Sequence, residues 1–363
     1  MAKKKIVAAM SGGVDSSVAA AVCRKNGYEV VGVTLRLKHP DPEFAKFQTC
    51  VSENDEKTIT ELTRKLGIEH HFLDLYPDFE KLVLEPAWRE YCRGRTPNPC
   101  TYCNFFIKFG KLLEFAEEIG AEKVVTGHYA QITNENGIYK LKRGSDPLKD
   151  QSYFLYRLTQ EQLAKIKFPI GEMRKSEVRA LARELDLDNS GKKDSQDACF
   201  AVDGEVFPET LRRLFGGSAK EGDFIYQGKI AGRHAGLHKY TIGQRKGLGV
   251  ALGKPGYIQA IDAESGRIKL VTENEELMSD SFEAGDINWQ CGSPPELPFH
   301  CLIQVRYRSK PAAGTVEANN SVVKITLDSP GRAITAGQAV VFYDDDYLLG
   351  GGIIERVNAT ASQ

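Results

Sequence analysis

Lys5 to Met10 is a short, nearly unbroken apolar run of β-prone residues, the pattern of a strand buried on both faces. A turn over Ser11–Val14 follows, and then an Ala/Val-rich stretch, Asp15–Lys25, predicts a helix that stops at Gly27. Glu29–Leu35 reads as the next strand. Residues 38–50 are polar and contain proline, which predicts a loop. Residues 52–66 are helical in pattern, Gly67 ends them, and His71–Leu75 reads as a strand. Lys108–Ile119 predicts a helix and Lys123–Gly127 a strand. Strands alternating with helices imply a parallel sheet with crossover connections.

Beyond Thr126 the pattern changes. Ala130–Arg143 predicts a β-hairpin turning at Asn136-Gly137. Thr159–Leu187 is helical in pattern, with a break at Pro169-Ile170-Gly171. From about Gly204 onward short β-prone runs rich in glycine dominate, with the proline-rich Gly292–Pro298 among them. The expected fold class is α/β, with residues 1–203 as a parallel-sheet catalytic domain. A small central domain over 204–275 and a C-terminal β-barrel over 276–358 would follow.

Composition narrows the function classes. A hydrophobic content of 41% and a charged content of 27% are ordinary for a soluble globular chain. The apolar run after Lys3-Lys4-Lys5 is too short for a secretion signal, and no stretch approaches the roughly 20 apolar residues of a membrane span. The expected setting is therefore the cytoplasm, without a membrane partner. There, eight cysteines point to burial, catalysis or metal binding before a disulfide framework. The formal net charge of −1 means that any nucleic-acid contact must come from local patches.

The run Ser11-Gly12-Gly13-Val14-Asp15-Ser16-Ser17 sits between the first strand and the first helix. Its glycines let backbone approach a ligand, and the helix start favours an anion. Asp15 would cap the helix or help hold Mg²⁺ beside phosphates. No lysine stands where a Walker A loop needs one, which favours a pyrophosphate leaving group over γ-phosphoryl transfer. The bland alternative is a glycine-rich strand–helix turn. The full run resembles the SGGxDS loop of the N-type ATP pyrophosphatases, which adenylate an oxygen and let a nucleophile displace AMP.

Two further segments carry cysteines in polar settings: Arg95-Thr96-Pro97-Asn98-Pro99-Cys100-Thr101-Tyr102-Cys103-Asn104 and Lys192-Lys193-Asp194-Ser195-Gln196-Asp197-Ala198-Cys199-Phe200. The prolines predict an extended or turning approach to Cys103, with a helix just beyond it and its thiolate favoured near the helix start. Together with Thr126–Tyr129, Lys149–Tyr156, Gln244–Gly249 and Gly350–Glu355, these segments resemble the bacterial tRNA-specific 2-thiouridylase (MnmA) family along nearly the whole chain. That resemblance implies an ATP-pyrophosphatase (adenine nucleotide α-hydrolase-like) domain, a central domain and a C-terminal barrel. It implies ATP with Mg²⁺ as cofactors, and as partners tRNA and a sulfur donor protein, either a cysteine desulfurase or a relay carrier. Cys199 would carry the persulfide, and Cys103 would form a transient disulfide with it. Ala9, Met10, Ser11, Gly12, Gly13, Val14, Asp15, Ser16, Leu35 and Gly127 would contact ATP. Asn98, Pro99 and Cys100 would contact the target base. His128, Lys149, Asp150, Gln151, Arg306, Tyr307 and Gln338 would contact tRNA.

Cys100 departs from the aspartate common at its position in the family. It weakens an account based on a carboxylate base, and it completes a set of three soft ligands, Cys100, Cys103 and Cys199, that would suit an iron–sulfur cluster. A persulfide route and a cluster route both follow. A CxxC also reads as half of a structural zinc site, though no second pair follows at finger spacing. Candidate basic patches are Lys140/Lys142/Arg143, Lys192/Lys193, Arg212/Arg213, Arg245/Lys246 and Arg306/Arg308/Lys310, each by itself the pattern of a solvated face. The rival readings are a lysidine- or argininosuccinate-synthetase-like enzyme, which needs no cysteine pair, and a non-catalytic RNA-binding or sulfur-carrier protein, which needs no Ser11–Ser17 loop.

Overall fold

The computed structural model describes residues 3–41, 44, 53–187, 206–217, 220–319 and 321–358. The parallel sheet is present, with strands in the order Glu69–Asp74, Glu29–Arg36, Lys5–Ala9, Lys123–Val125 and Ile166–Lys167. Lys5–Ala9 lies at its centre. Val7 feeds one apolar core with Phe109, Leu112 and Tyr156, while Ile6 and Ala8 feed another with Val18, Ile59 and Val178. A strand covered on both faces explains why the run is apolar without alternation. The chain leaves this strand toward one side of the sheet and returns on the other. The crevice beyond the carboxyl ends of Lys5–Ala9 and Lys123–Val125 is thus a topological switch point, where such sheets bind ligands.

Several boundaries differ from expectation. The third strand starts at Glu69, two residues earlier than the pattern suggested. The helix expected at 108–119 begins at Pro99, and residues 99–118 form one run whose middle, Cys103–Lys111, has the wider turns of a π-helix. Asn98 stands at its N-cap with Pro99 in the first turn, so that proline starts a helix, where its missing N–H is harmless, and does not prolong an extended segment. A second helical run over 76–92, with Pro77 and Pro86 each at the start of a helical segment, was masked in the sequence by those prolines. The stretch 159–187 resolves into Gln160–Ala164, capped by Thr159, the edge strand Ile166–Lys167, and Lys175–Glu184.

The hairpin Ala130–Glu135/Ile138–Arg143 turns at Asn136 and Gly137, both with positive φ, as the mirror-image turn requires. Its second strand pairs with Tyr347–Val357 through Lys142 and Tyr347, so the hairpin extends the C-terminal sheet. That sheet closes on itself. Met278–Trp289, Val322–Arg332, Ala312–Asn319, Phe299–Gln304, Ala339–Asp344 and Tyr347–Val357 follow in order, and the first pairs with the last around a core of Phe282, Ile303, Ile325 and Phe342. Between the two, Gly222–Tyr226, Lys229–His234, Tyr257–Asp262 and Arg267–Val271 form a separate four-stranded sheet. Among the described residues no helix is long and apolar enough to cross a membrane.

Candidate active site

The Ser11–Ser17 run lies at the switch point. Gly12 has φ +72°, a conformation that glycine adopts without strain. Gly13 is the N-cap of Val14–Lys25 and receives no side-chain cap. The hydroxyls of Ser16 and Ser17 both donate to Gly13 O, at 3.0 and 2.9 Å, and Ser11 N donates to Ser16 Oγ at 3.3 Å. The loop is thereby folded back on its own backbone at the start of the helix. Ala9 and Met10 lead into it from the central strand, and Met10 N is bonded to Val33 O at 2.7 Å. Gly127 presses on it from the next strand, its α-carbon so close that a Cβ would stand 2.6 Å from Asp15 C and 2.7 Å from Ser16 N. Leu35 packs against both the sheet core and the apolar cluster that holds Cys103. The residues expected around ATP are therefore contiguous.

Asp15 does not cap the helix. Its carboxylate accepts from Tyr129 Oη at 2.8 Å and is gripped by Lys175 Nζ, 2.8 Å from both oxygens. Lys175 stands on the first turn of Lys175–Glu184 and brings a cation to the loop. Sequence reasoning missed it because 160 residues separate it from Asp15. His128, expected at tRNA, is nine-tenths buried between Phe109 and Phe168, and its Nδ1 is 2.7 Å from Thr126 Oγ1. Burial holds the imidazole well below its ordinary pKa, which favours its neutral form.

Cys103 is the fifth residue of the 99–118 run and 2% exposed, lying among Leu37, Tyr76, Val83 and Ile107. It was expected closer to the helix start. Cys100, one turn earlier, is partly exposed. Positions 100, 103 and 104 share one helix face. Asn104 Nδ2 donates to Phe154 O at 3.2 Å, while its buried Oδ1 has no partner. Cys199 and the Lys192/Lys193 patch lie outside the described residues. Among those described, no group of three His, Cys, Asp or Glu is placed to hold a metal ion. Cys23 and Cys301 are core residues whose thiols burial pushes up to about 11 and about 12.

Residues 150–157 prove to be a hub between the α/β domain and the barrel. Asp150 bonds Arg143, Gly144 N and Ser152, and only 9% of its side chain is exposed. Gln151 Oε1 accepts from Tyr129 N at 3.0 Å, and Ser152 Oγ lies 3.1 Å from Tyr343 Oη. Arg157 pairs with Asp286 of the barrel and lies over the Tyr102 ring beside Cys103. Asp150 and Gln151, expected at tRNA, thus spend their side chains inside the protein, and Gln338 likewise gives its amide to the backbone of Thr96 and Pro97. Of the basic patches, Arg143 is committed to Asp150 and the Tyr343 ring, Lys140 to Glu135, and Arg212 to Glu209. Arg306, Arg308 and Lys310 are exposed around Tyr307, and Arg245 and Lys246 are exposed in a turn of the central module.

A glycine-bearing strand–helix loop at the switch point of a parallel sheet, joined to two β-modules, defines a multidomain α/β protein of the HUP class, and the comparisons agree. Residues 4–203 match the "tRNA methyl transferase HUP domain", 214–272 the corresponding "PRC-barrel domain", and 279–354 the "Aminomethyltransferase beta-barrel domain". The chain is 42% identical over 361 residues to a tRNA-specific 2-thiouridylase MnmA of Geobacter metallireducens, covering 98% of this chain and 97% of that one. It is also 42% identical to the proteins of that name from Carboxydothermus hydrogenoformans, over 98% of each chain, and Acetivibrio thermocellus, over 98% of this chain and all of that one. The chain belongs to the tRNA-specific 2-thiouridylase family.

Proposed function

We propose that the chain is a tRNA-uridine 2-sulfurtransferase that uses ATP to thiolate the wobble uridine. The observation that carries the reading is family membership over nearly the full length, and the loop geometry gives it chemical content. The ATP phosphates lie against Ser11–Gly13 and the start of Val14–Lys25, with Lys175 adding positive charge. Asp15 is a hard oxygen donor beside that loop, which suits a phosphate-bound Mg²⁺ that would neutralise triphosphate charge. Residues 1–203 would hold ATP and both working cysteines, and 276–358 would engage tRNA through Arg306 and Tyr307.

In this scheme uracil O2 attacks the α-phosphorus of ATP, pyrophosphate leaves, and the N3 proton passes to solvent. C2 then carries AMP as a leaving group. The terminal sulfur of a persulfide on Cys199, delivered by a sulfur donor protein, adds to C2, and AMP departs. The Cys103 thiolate attacks Cys199 Sγ and breaks the bond to the transferred sulfur. 2-Thiouridine is released, regaining a proton at N3 from solvent, and two equivalents of external thiol reduce the Cys103–Cys199 disulfide that remains. Asn98, Pro99 and Cys100 present the base. A second reading, a cluster on Cys100, Cys103 and Cys199, is favoured by the helical spacing of the first two, and it predicts bound iron in anaerobically purified protein.

The test is reconstitution with ATP, Mg²⁺, unthiolated tRNA and a persulfide donor. One AMP and one pyrophosphate should appear for each 2-thiouridine. No tRNA-dependent pyrophosphate would reject the enzyme in favour of a non-catalytic RNA-binding or sulfur-carrier protein.

A further inference from the structure

We infer that three successive barrel residues, Gly337, Gln338 and Ala339, position the loop Thr96–Asn98 that presents the target base. The inference rests on the proposed function.

The loop cannot hold itself. Pro97 and Pro99 have no N–H, and the carbonyls of Thr96 and Pro97 must find donors elsewhere. The barrel supplies them. Gln338 Nε2 donates to Thr96 O at 2.9 Å and to Pro97 O at 3.2 Å, and Thr96 N donates to Ala336 O at 3.0 Å. Gly337, with φ +90°, lets the two backbones touch: a Cβ there would lie 2.9 Å from Thr96 O and 3.0 Å from its C and N. Ala339 O accepts from Tyr153 Oη at 2.8 Å, and Tyr153 is 1% exposed, with the Asn98 side chain near its hydroxyl. Gly337 N is fixed to Ile354 O at 2.8 Å, and Ile354 N to Gln338 O at 2.9 Å. Just before the loop, Arg95 ties Glu90 to Glu355 and donates to Ile354 O at 3.2 Å.

The same barrel carries the candidate tRNA contacts. Tyr307 packs on Phe154 with ring centroids 4.3 Å apart and on Tyr153 at 6.2 Å, so packed groups run from the Arg306–Tyr307 surface to Ala339, in the clamp. A tRNA seated on that surface and the loop that receives its uridine are thus referred to one body. Losing the clamp should misplace the base without loosening the tRNA.

Gln338→Met keeps the volume and removes both donors. Turnover at saturating ATP and tRNA should fall about ten- to hundredfold, the usual consequence of misplacing a reacting group by a fraction of an ångström. The tRNA Kd should stay within about twofold, since the loss falls after binding. Gly337→Ala, which pushes on Thr96 directly, should give the same split between kcat and Kd. ATP affinity should match the parent in both, while the thermal midpoint should fall, through strain at Gly337 and through the lost donors at Gln338. A weakened Kd with kcat intact would make Gln338 a tRNA contact and overturn the inference. So would wild-type values of both constants in the two variants. Failure of the underlying enzymatic reading would show separately, as no tRNA-dependent pyrophosphate from the parent protein.

Discussion

Gly127→Ala tests the ATP site through a contact that side-chain rotation cannot relieve. The added methyl would lie 2.6 Å from Asp15 C, 2.7 Å from Ser16 N and 2.9 Å from Asp15 O, all backbone atoms of the first helical turn. Ordinary contact begins near about 3.4 Å, so the turn and the strand end must part by about 0.8 Å. Strain of this kind costs about 1–3 kcal/mol in a packed site. It falls on the N–H groups that would face the phosphates. If the variant stays folded, kcat/KM for ATP in tRNA-dependent pyrophosphate release should drop about 10- to 100-fold, or about 1.4–2.7 kcal/mol. Gly137→Ala is the control. Its φ of +87° makes alanine strained there, but a Cβ would meet nothing within 4 Å, and the hairpin tip touches no candidate ligand. It should lower the thermal midpoint and leave ATP kinetics alone. Parental ATP kinetics in Gly127→Ala would show that the Ser11–Ser17 run is a structural turn.

Other residues give independent tests. Lys175→Met removes the cation that grips the Asp15 carboxylate beside Tyr129 and should raise KM for ATP about tenfold, with tRNA affinity unchanged, in the same assay. Cys103→Ser and Cys199→Ser should each abolish 2-thiouridine formation and spare ATP binding, whereas Cys100→Ala should keep partial activity without iron; activity that depends on iron and on Cys100 would favour the cluster. His70, pushed down to about 4, and His128, well below 6.5, are both kept neutral by burial. The native state therefore takes up fewer protons than the unfolded chain, and the stability present above pH 6.5 is lost as pH falls, by about 1.4 kcal/mol per histidine at pH 5.5. The fall in thermal midpoint between pH 7.5 and 5.5 should shrink in His128→Asn, and an unchanged fall would contradict the assignment.

How much of this was legible in the sequence follows from where each signal resides. The central strand and its loop announced themselves because a strand buried on both faces is a pure apolar run and a positive-φ turn demands glycine. The Asn136-Gly137 hairpin was legible for the same local reason. Its membership of the barrel sheet was not, since it rests on the single pair Lys142–Tyr347. Pro77, Pro86 and Pro99 hid three helical starts, in two runs, because a proline looks alike outside a helix and in its first turn. Residue types at Asp150, Gln151 and Gln338 suggested polar contacts, but whether the partner is RNA or the protein's own backbone is fixed by tertiary structure. Lys175 and the Gly337–Ala339 clamp were invisible, since their partners lie more than 150 residues away.

The central claim is tested most directly by nucleoside mass spectrometry of tRNA from cells that lack this gene, carry it, or carry its Cys199→Ser form. The account predicts wobble 2-thiouridine only with the intact gene. Equal 2-thiouridine in all three would contradict it.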